Sequence, residues 1–231
     1  MPLNLRELTT EAEFQRVVDV ELEAYSKPFN GFWDLLVGAS QAGWRARQWS
    51  WHTSDPSSRW VYVTDDATGD VIGATNWNIY DTKSPWVEEE GGGGEPAMTA
   101  YRLEGPRKNV GDQLFASFFG NRPKLMNKPH LLISYYCVHA LHRRRGAARM
   151  MLQWGIDKAD ELGLDCFVES THDGRPAYES AGFRVIGELY LDATTDEPDE
   201  GFEAAKREYG VPLTGWIMKR DAVARKQEDG N

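Results

Sequence analysis

The stretch from His130 to Ser170 constrains the fold more than any other. "HLLISYYCV", residues 130–138, is an apolar run long enough to lie in the middle of a sheet. In the segment that follows, Ala148, Met151, Leu152, Ile156, Ala159 and Leu162 recur at helical spacing and form one apolar stripe. Gly163 is placed to end that helix, and "LDCFVEST" is a second buried strand. Strand, helix and strand within about 40 residues predict a right-handed βαβ crossover with parallel strands. The fold class is therefore α/β, a mixed central β-sheet flanked by helices.

The remaining elements fit around that core. "LNLRELT" opens as a strand, and Thr9 or Thr10 caps a helix carrying Phe14, Val17, Val18, Leu22 and Tyr25 on one side. Pro28 and Asn30-Gly31 interrupt it, and one or two further helices run through "FWDLLVGASQAGWRARQWSWH". "RWVYVTDDATGDVIGATNWNIY" has the chemistry of a hairpin turning between Asp66 and Asp70. The glutamate and glycine run from Glu88 to Glu95 has nothing to bury and is expected to be a loop. "GDQLFASFFGNRPKLMN" is short helix or irregular chain, and "GRPAYESA" is a short helix ended by Gly182. "FRVIGELYLD" and "PLTGWIMK" are strands joined by the acidic stretch "ATTDEPDEGFEAAKREYG". No repeat or linker divides the chain. The expectation is one domain over residues 1–220, with a polar tail over 221–231.

Composition narrows the function. With 41% hydrophobic residues and 12% aromatics in 231 residues, the chain can build a sizeable core. The formal charge of -10 and pI near 5.0 argue against nucleic acid as a partner, because that needs a basic face. No apolar run reaches the roughly 18 residues of a membrane span, and the N-terminus lacks a secretory signal, so a cytoplasmic location is expected. Cys137 and Cys166 are too few for a disulfide framework or a cysteine zinc site and fit buried core thiols. No His, Cys and carboxylate spacing makes a metal site.

Against that acidic background, "HRRRGAA" places Arg143, Arg144 and Arg145 where a strand-to-helix loop opens a helix. Unpaired backbone N–H groups and the positive end of a helix dipole gather there, which suits a phosphate. Gly146, Ala147 and Ala148 allow close approach to the backbone, and the arginines add charged hydrogen bonds. A solvated basic turn paired with neighbouring carboxylates accounts for the same residues. Walker and Rossmann patterns do not fit.

"YYCVHALHRRRGAARMML" resembles motif A of the GNAT family, the Gcn5-related N-acetyltransferases, with Arg143, Gly146 and Ala148 in its three defining places. "EST…GRPAYESAGFRVIG" resembles the family's next segment, matched at Tyr178, Gly182 and Phe183. The chain departs from the pattern at Ala140, where proline is usual, at Ala148, where glycine is commoner, and in a long insert at about 81–128. The resemblance implies acetyl-CoA as cosubstrate, its pyrophosphate on the amides of residues 143–149, Arg149 included. It also implies pantetheine paired with the backbone of Tyr136, Cys137 and Val138, and Tyr178 as general acid.

Acyl transfer to an amine also needs a base, since an amine of pKa about 10.4 is neutral in roughly one molecule in 2,500 at pH 7. The central strand offers no carboxylate. Glu169 on the neighbouring strand is the first candidate, ahead of Asp173, His172 and His139. The aromatic N-terminal quarter, including Trp33, Trp44, Trp49, Trp51 and Trp60, fits core and also an aromatic-lined pocket. The leading expectation is an N-acetyltransferase acting on a small-molecule or peptidyl amine, of undetermined oligomeric state. A non-catalytic acyl-CoA-binding module and a protein that engages an acidic partner are the alternatives.

Overall fold

The apolar run His130–Val138 forms β4, a central strand of the sheet, in a computed structural model that describes residues 2–38, 40–87, 100 and 102–223. The other strands are β1 (Leu3–Glu7), β2 (Ser58–Asp65), β3 (Val71–Tyr80), β5 (Asp165–Ser170), β6 (Arg184–Leu191) and β7 (Leu213–Arg220). Their order is β1-β2-β3-β4-β5-β7-β6, antiparallel throughout except for the parallel pair β4–β5. The last strand inserts between β5 and β6. The parallel pair is joined by α6 (Ala147–Leu162), the predicted crossover.

The first three helices each start at a residue whose side chain caps them. Thr10 closes a capping box with Glu13 at the head of α1 (Glu11–Tyr25), and Asn30 and Ser40 cap α2 (Gly31–Val37) and α3 (Gln41–Ser54). Further along lie α4 (Gly105–Phe119), α5 (Arg122–Leu125), α7 (Arg175–Ser180) and α8 (Glu200–Tyr209). Period-2 alternation along β4 and β5 sorts the packing. Leu131, Ile133, Cys166 and Val168 meet Leu152 and Ile156 of α6 on one face. Leu132 and Phe167 meet Leu114 of α4 and Phe202 of α8 on the other. Beside them, Phe14, Val17 and Val18 of α1 and Trp44 of α3 cover β2 and β3 around Trp60. Gly155 lets Trp77 lie directly on α6, since a Cβ there would sit 2.1 Å from the indole.

Several expectations change. "GDQLFASFF" belongs to the full-length helix α4, whose Val110, Leu114 and Phe115 are core residues, so this part of the insert is integral to the fold. The acidic connection contains α8, capped by Asp199 and burying Phe202, Ala205 and Tyr209. Its helical period was masked by the surrounding charge. Leu162 is 44% exposed, and Leu164, turned back by Gly163, packs on the α6 cluster instead. The stretch Glu88–Glu95, expected to be a loop, and most of the tail lie outside the described residues. No helix among the described residues is long and apolar enough to cross a membrane.

Candidate active site

Strands β4 and β5 begin side by side and then part. Their ladder runs only from His130–Asp165 to Ile133–Val168, and a bulge at Ser134 re-aims β4 beyond that point. From Ser134 to Val138 the edge of β4 that faced β5 has no strand partner among the described residues. Its backbone groups are not left bare. The Tyr25 hydroxyl, from the last residue of α1, donates to the Tyr136 carbonyl at 2.9 Å and accepts from the Tyr136 N–H at 3.2 Å. The Tyr25 ring stacks on Trp33 with centroids 4.4 Å apart.

This open edge leads into the arginine loop. His139 continues the ladder by donating its N–H to the Ile72 carbonyl at 2.9 Å, and a 3₁₀ turn follows at Ala140–His142. Arg143 is extended, while Arg144 and Gly146 take positive φ of 62° and 99°. That sequence of conformations turns the chain into α6 with Gly146 as N-cap and with no side-chain cap. The first-turn amides of α6 therefore have no protein side chain bound at the cap, and a Cβ on Gly146 would meet nothing within 4 Å.

The three arginines divide between the two expectations. Arg143 and Arg144 are exposed, and Arg143 Nε reaches only to the Val138 carbonyl, at 3.5 Å. Arg145 forms an ion pair with the buried Asp65 at 2.8 Å and lies 2.7 Å from His142 Nδ1. The backbone N–H of Ala67, then Arg145, hold the Asp65 carboxyl below its ordinary range. Arg145 is thus a structural strut, and the free positive charge belongs to its two neighbours. His139 is likewise tied, 2.7 Å from Glu23 of α1.

Tyr178 projects from α7 toward the parting strands and is 5% exposed. Its ring lies 5.3 Å from that of Tyr136 and 5.8 Å from that of Phe183. Burial pushes its phenol well above the ordinary value, so it keeps its proton at neutral pH. Cys137 is buried and its thiol is pushed up by burial, which fits a core thiol whose contribution to a ligand would be its backbone. Ala147 is buried under the loop, while Ala148 is half-buried and Arg149 is exposed.

Glu169 lies on β5, two residues beyond Phe167 and so on the same face of the sheet. Arg122 donates to both of its oxygens, at 2.7 and 3.0 Å, and Arg122 in turn lies over the rings of Phe119, Trp86 and Phe118. Each oxygen accepts one of these bonds, and the ion pair fixes the orientation of the carboxylate. His172 bonds to the Thr214 hydroxyl at 2.9 Å.

Two residues were missed. Glu21 is fully buried and accepts from Gln48 at 3.0 Å and Trp44 at 3.4 Å, with no ion pair to it among the described residues. Burial raises its pKa to about 8. The signal was present, because position 21 continues the stripe of Phe14, Val17 and Val18 and an acid on such a stripe has to be buried. Tyr25 sits one turn further along that stripe. Most of the N-terminal tryptophans are core, with Trp33, Trp44 and Trp60 buried around Tyr135 and Trp51 exposed at the rim.

Comparison with known proteins agrees with this geometry. Residues 114–183 match the acetyltransferase (GNAT) family. An acetyltransferase of Stachybotrys chartarum is 38% identical over 66 residues, which is 29% of this chain and 26% of that protein. The chain thus matches about a quarter of that relative's length. Mosquito arylalkylamine N-acetyltransferase like 5b superposes with a TM-score of 0.59 at 15% identity, covering 95% of this chain and all of that one. The phosphinothricin acetyltransferase of Sinorhizobium meliloti, solved in complex with acetyl-CoA, superposes at 0.52 and 13% identity, covering all of this chain and 95% of that one. The matched segment holds β4, the loop and Tyr178, and the fold around it is the one these acetyltransferases share.

Proposed function

We propose that the chain transfers an acetyl group from acetyl-CoA to a primary amine of a small molecule or peptide. The observation that carries this is the continuous path from the unpartnered edge of β4 into the uncapped N-terminus of α6. An extended arm bearing amides fits a strand edge, and a pyrophosphate fits a helix N-terminus, so one molecule with both parts fits the two together. The Sinorhizobium neighbour with acetyl-CoA bound supports that ligand.

Under this proposal the amides from Gly146 to Arg149 hold the pyrophosphate, and Arg143 and Arg144 neutralise it. Arg145 keeps the loop in shape through Asp65. The backbone of Tyr136, Cys137 and Val138 pairs with the pantetheine amides. Acetyl-CoA supplies the activated thioester. The neutral amine attacks the acyl carbon, and the carbon–nitrogen bond forms as the carbon–sulfur bond breaks. Tyr178 gives its phenol proton to the departing sulfur, and the proton released by the amine nitrogen to solvent is balanced by one that restores the phenol.

Incubation with acetyl-CoA and a mixture of primary amines, followed by mass spectrometry for products 42 Da heavier (~42, one acetyl group replacing hydrogen), tests the proposal. Free CoA thiol should appear in step with product. Binding of acetyl-CoA without any acetylated amine would instead establish a non-catalytic acyl-CoA-binding protein.

A further inference from the structure

We propose that Tyr25 is a further residue of the cosubstrate site: in the ligand-free protein its hydroxyl occupies the hydrogen-bonding place on β4 that an amide of acetyl-CoA takes on binding. Tyr25 is then an internal competitor that sets affinity. This rests on the acetyl-CoA function proposed above.

The geometry is specific. Beyond Ile133 the edge of β4 lacks a β5 partner, and at Tyr136 one oxygen atom engages both backbone groups. A phenol hydroxyl is one donor and one acceptor, which is the same pair of capacities that a secondary amide presents to a strand edge. Tyr25 therefore satisfies two half-buried groups that would otherwise lack partners, and it does so from a helix 111 residues away in sequence. Any extended ligand that pairs with Tyr136 must first move that hydroxyl.

Nothing else in the seating of Tyr25 depends on its oxygen. The ring is held by its stack on Trp33 and by its place at the end of α1. Removing the hydroxyl should raise the free energy of the ligand-free form, where Tyr136 loses both bonds, and leave the bound form, where the ligand supplies them, nearly unchanged.

Tyr25→Phe tests this in two independent ways. Calorimetry should show acetyl-CoA binding tighter by roughly tenfold, the scale of one or two lost hydrogen bonds. Amide exchange followed by NMR should show the Tyr136 N–H exchanging faster in the ligand-free variant than in the parent, with the difference gone at saturating acetyl-CoA. If the parent binds acetyl-CoA and the folded variant binds equally or more weakly, the Tyr25 proposal is overturned. An unchanged Tyr136 exchange rate overturns it as well. Should the variant not fold, the Tyr25 ring signal of the parent decides, since it must shift when acetyl-CoA is added and a static signal sinks the idea. A parent that does not bind acetyl-CoA at all removes the functional proposal itself, which is a distinct result.

Discussion

Arg122 and Glu169 form a two-bond pair, at 2.7 and 3.0 Å, with side chains only 12% and 3% exposed and three aromatic rings around the guanidinium. Removing one partner strands the other charge in the interior. Arg122→Ala should therefore cost on the order of 3–5 kcal/mol in urea unfolding. The pair also bears on catalysis. Glu169→Gln should lose stability without a selective fall in turnover at low pH, and such a fall in the folded variant would give Glu169 the proton-accepting role after all.

Gly146→Leu addresses the anion site. At φ of 99° any side chain is strained by roughly 1–3 kcal/mol, so the melting temperature should drop. The new side chain would meet no protein atom near its Cβ and would project into the space assigned to phosphate. Calorimetry on the folded variant should find no acetyl-CoA binding. Retained affinity would move the phosphate elsewhere.

Glu21 makes a signed pH prediction. Its carboxyl titrates near pH 8 when folded, against 4.5 as its ordinary value, because burial disfavours the charge. Between those values the folded chain holds a proton that the unfolded chain has lost. The stabilising contribution is complete below about pH 4.5 and disappears as pH rises toward 8. Glu21→Gln should thus gain on the parent across pH 5 to 8, by a few kcal/mol on the order of the full shift. Urea titrations at several pH values read this directly, and parallel curves would mean an ordinary pKa. The acid limb has the opposite sign and other owners. Glu13, for example, is held at about 2, first by the backbone N–H of Thr9.

Tyr178→Phe separates proton donation from packing. The ring contacts with Tyr136 and Phe183 survive the change and only the hydroxyl goes. Turnover should fall by about tenfold to a thousandfold, within the range of positioned acids, with little change in the Michaelis constant for acetyl-CoA. A thiol of pKa near 8.5 leaves partly without help, so the loss should not be complete. Full turnover with an unchanged pH profile would make Tyr178 a packing residue.

What the sequence revealed follows physical lines. The βαβ crossover, the hairpin and the capped α1 were legible because their signals are local: a period, a cap or a turn. Helix α8 was hidden because its three acids equal its three buried apolar residues in number and an acidic run precedes it. The roles of Arg145 and Glu169 could not be read, since each depends on a partner, Asp65 or Arg122, brought near only by the finished sheet. Tyr25 was placed correctly on its helix, but its bond to the β4 backbone spans the fold and leaves no trace in spacing.

The Arg145–Asp65 pair has a bearing on how this site can be transplanted. Asp65 ends β2 in the first third of the chain, outside the segment 114–183 that carries the family match. A graft of that segment onto another scaffold would bring the glycine and the arginines but not the carboxylate that fixes one of them. Its Arg145 would be free to crowd the other two, and the loop would arrive without its shape. The smallest portable unit of the site therefore includes the N-terminal hairpin.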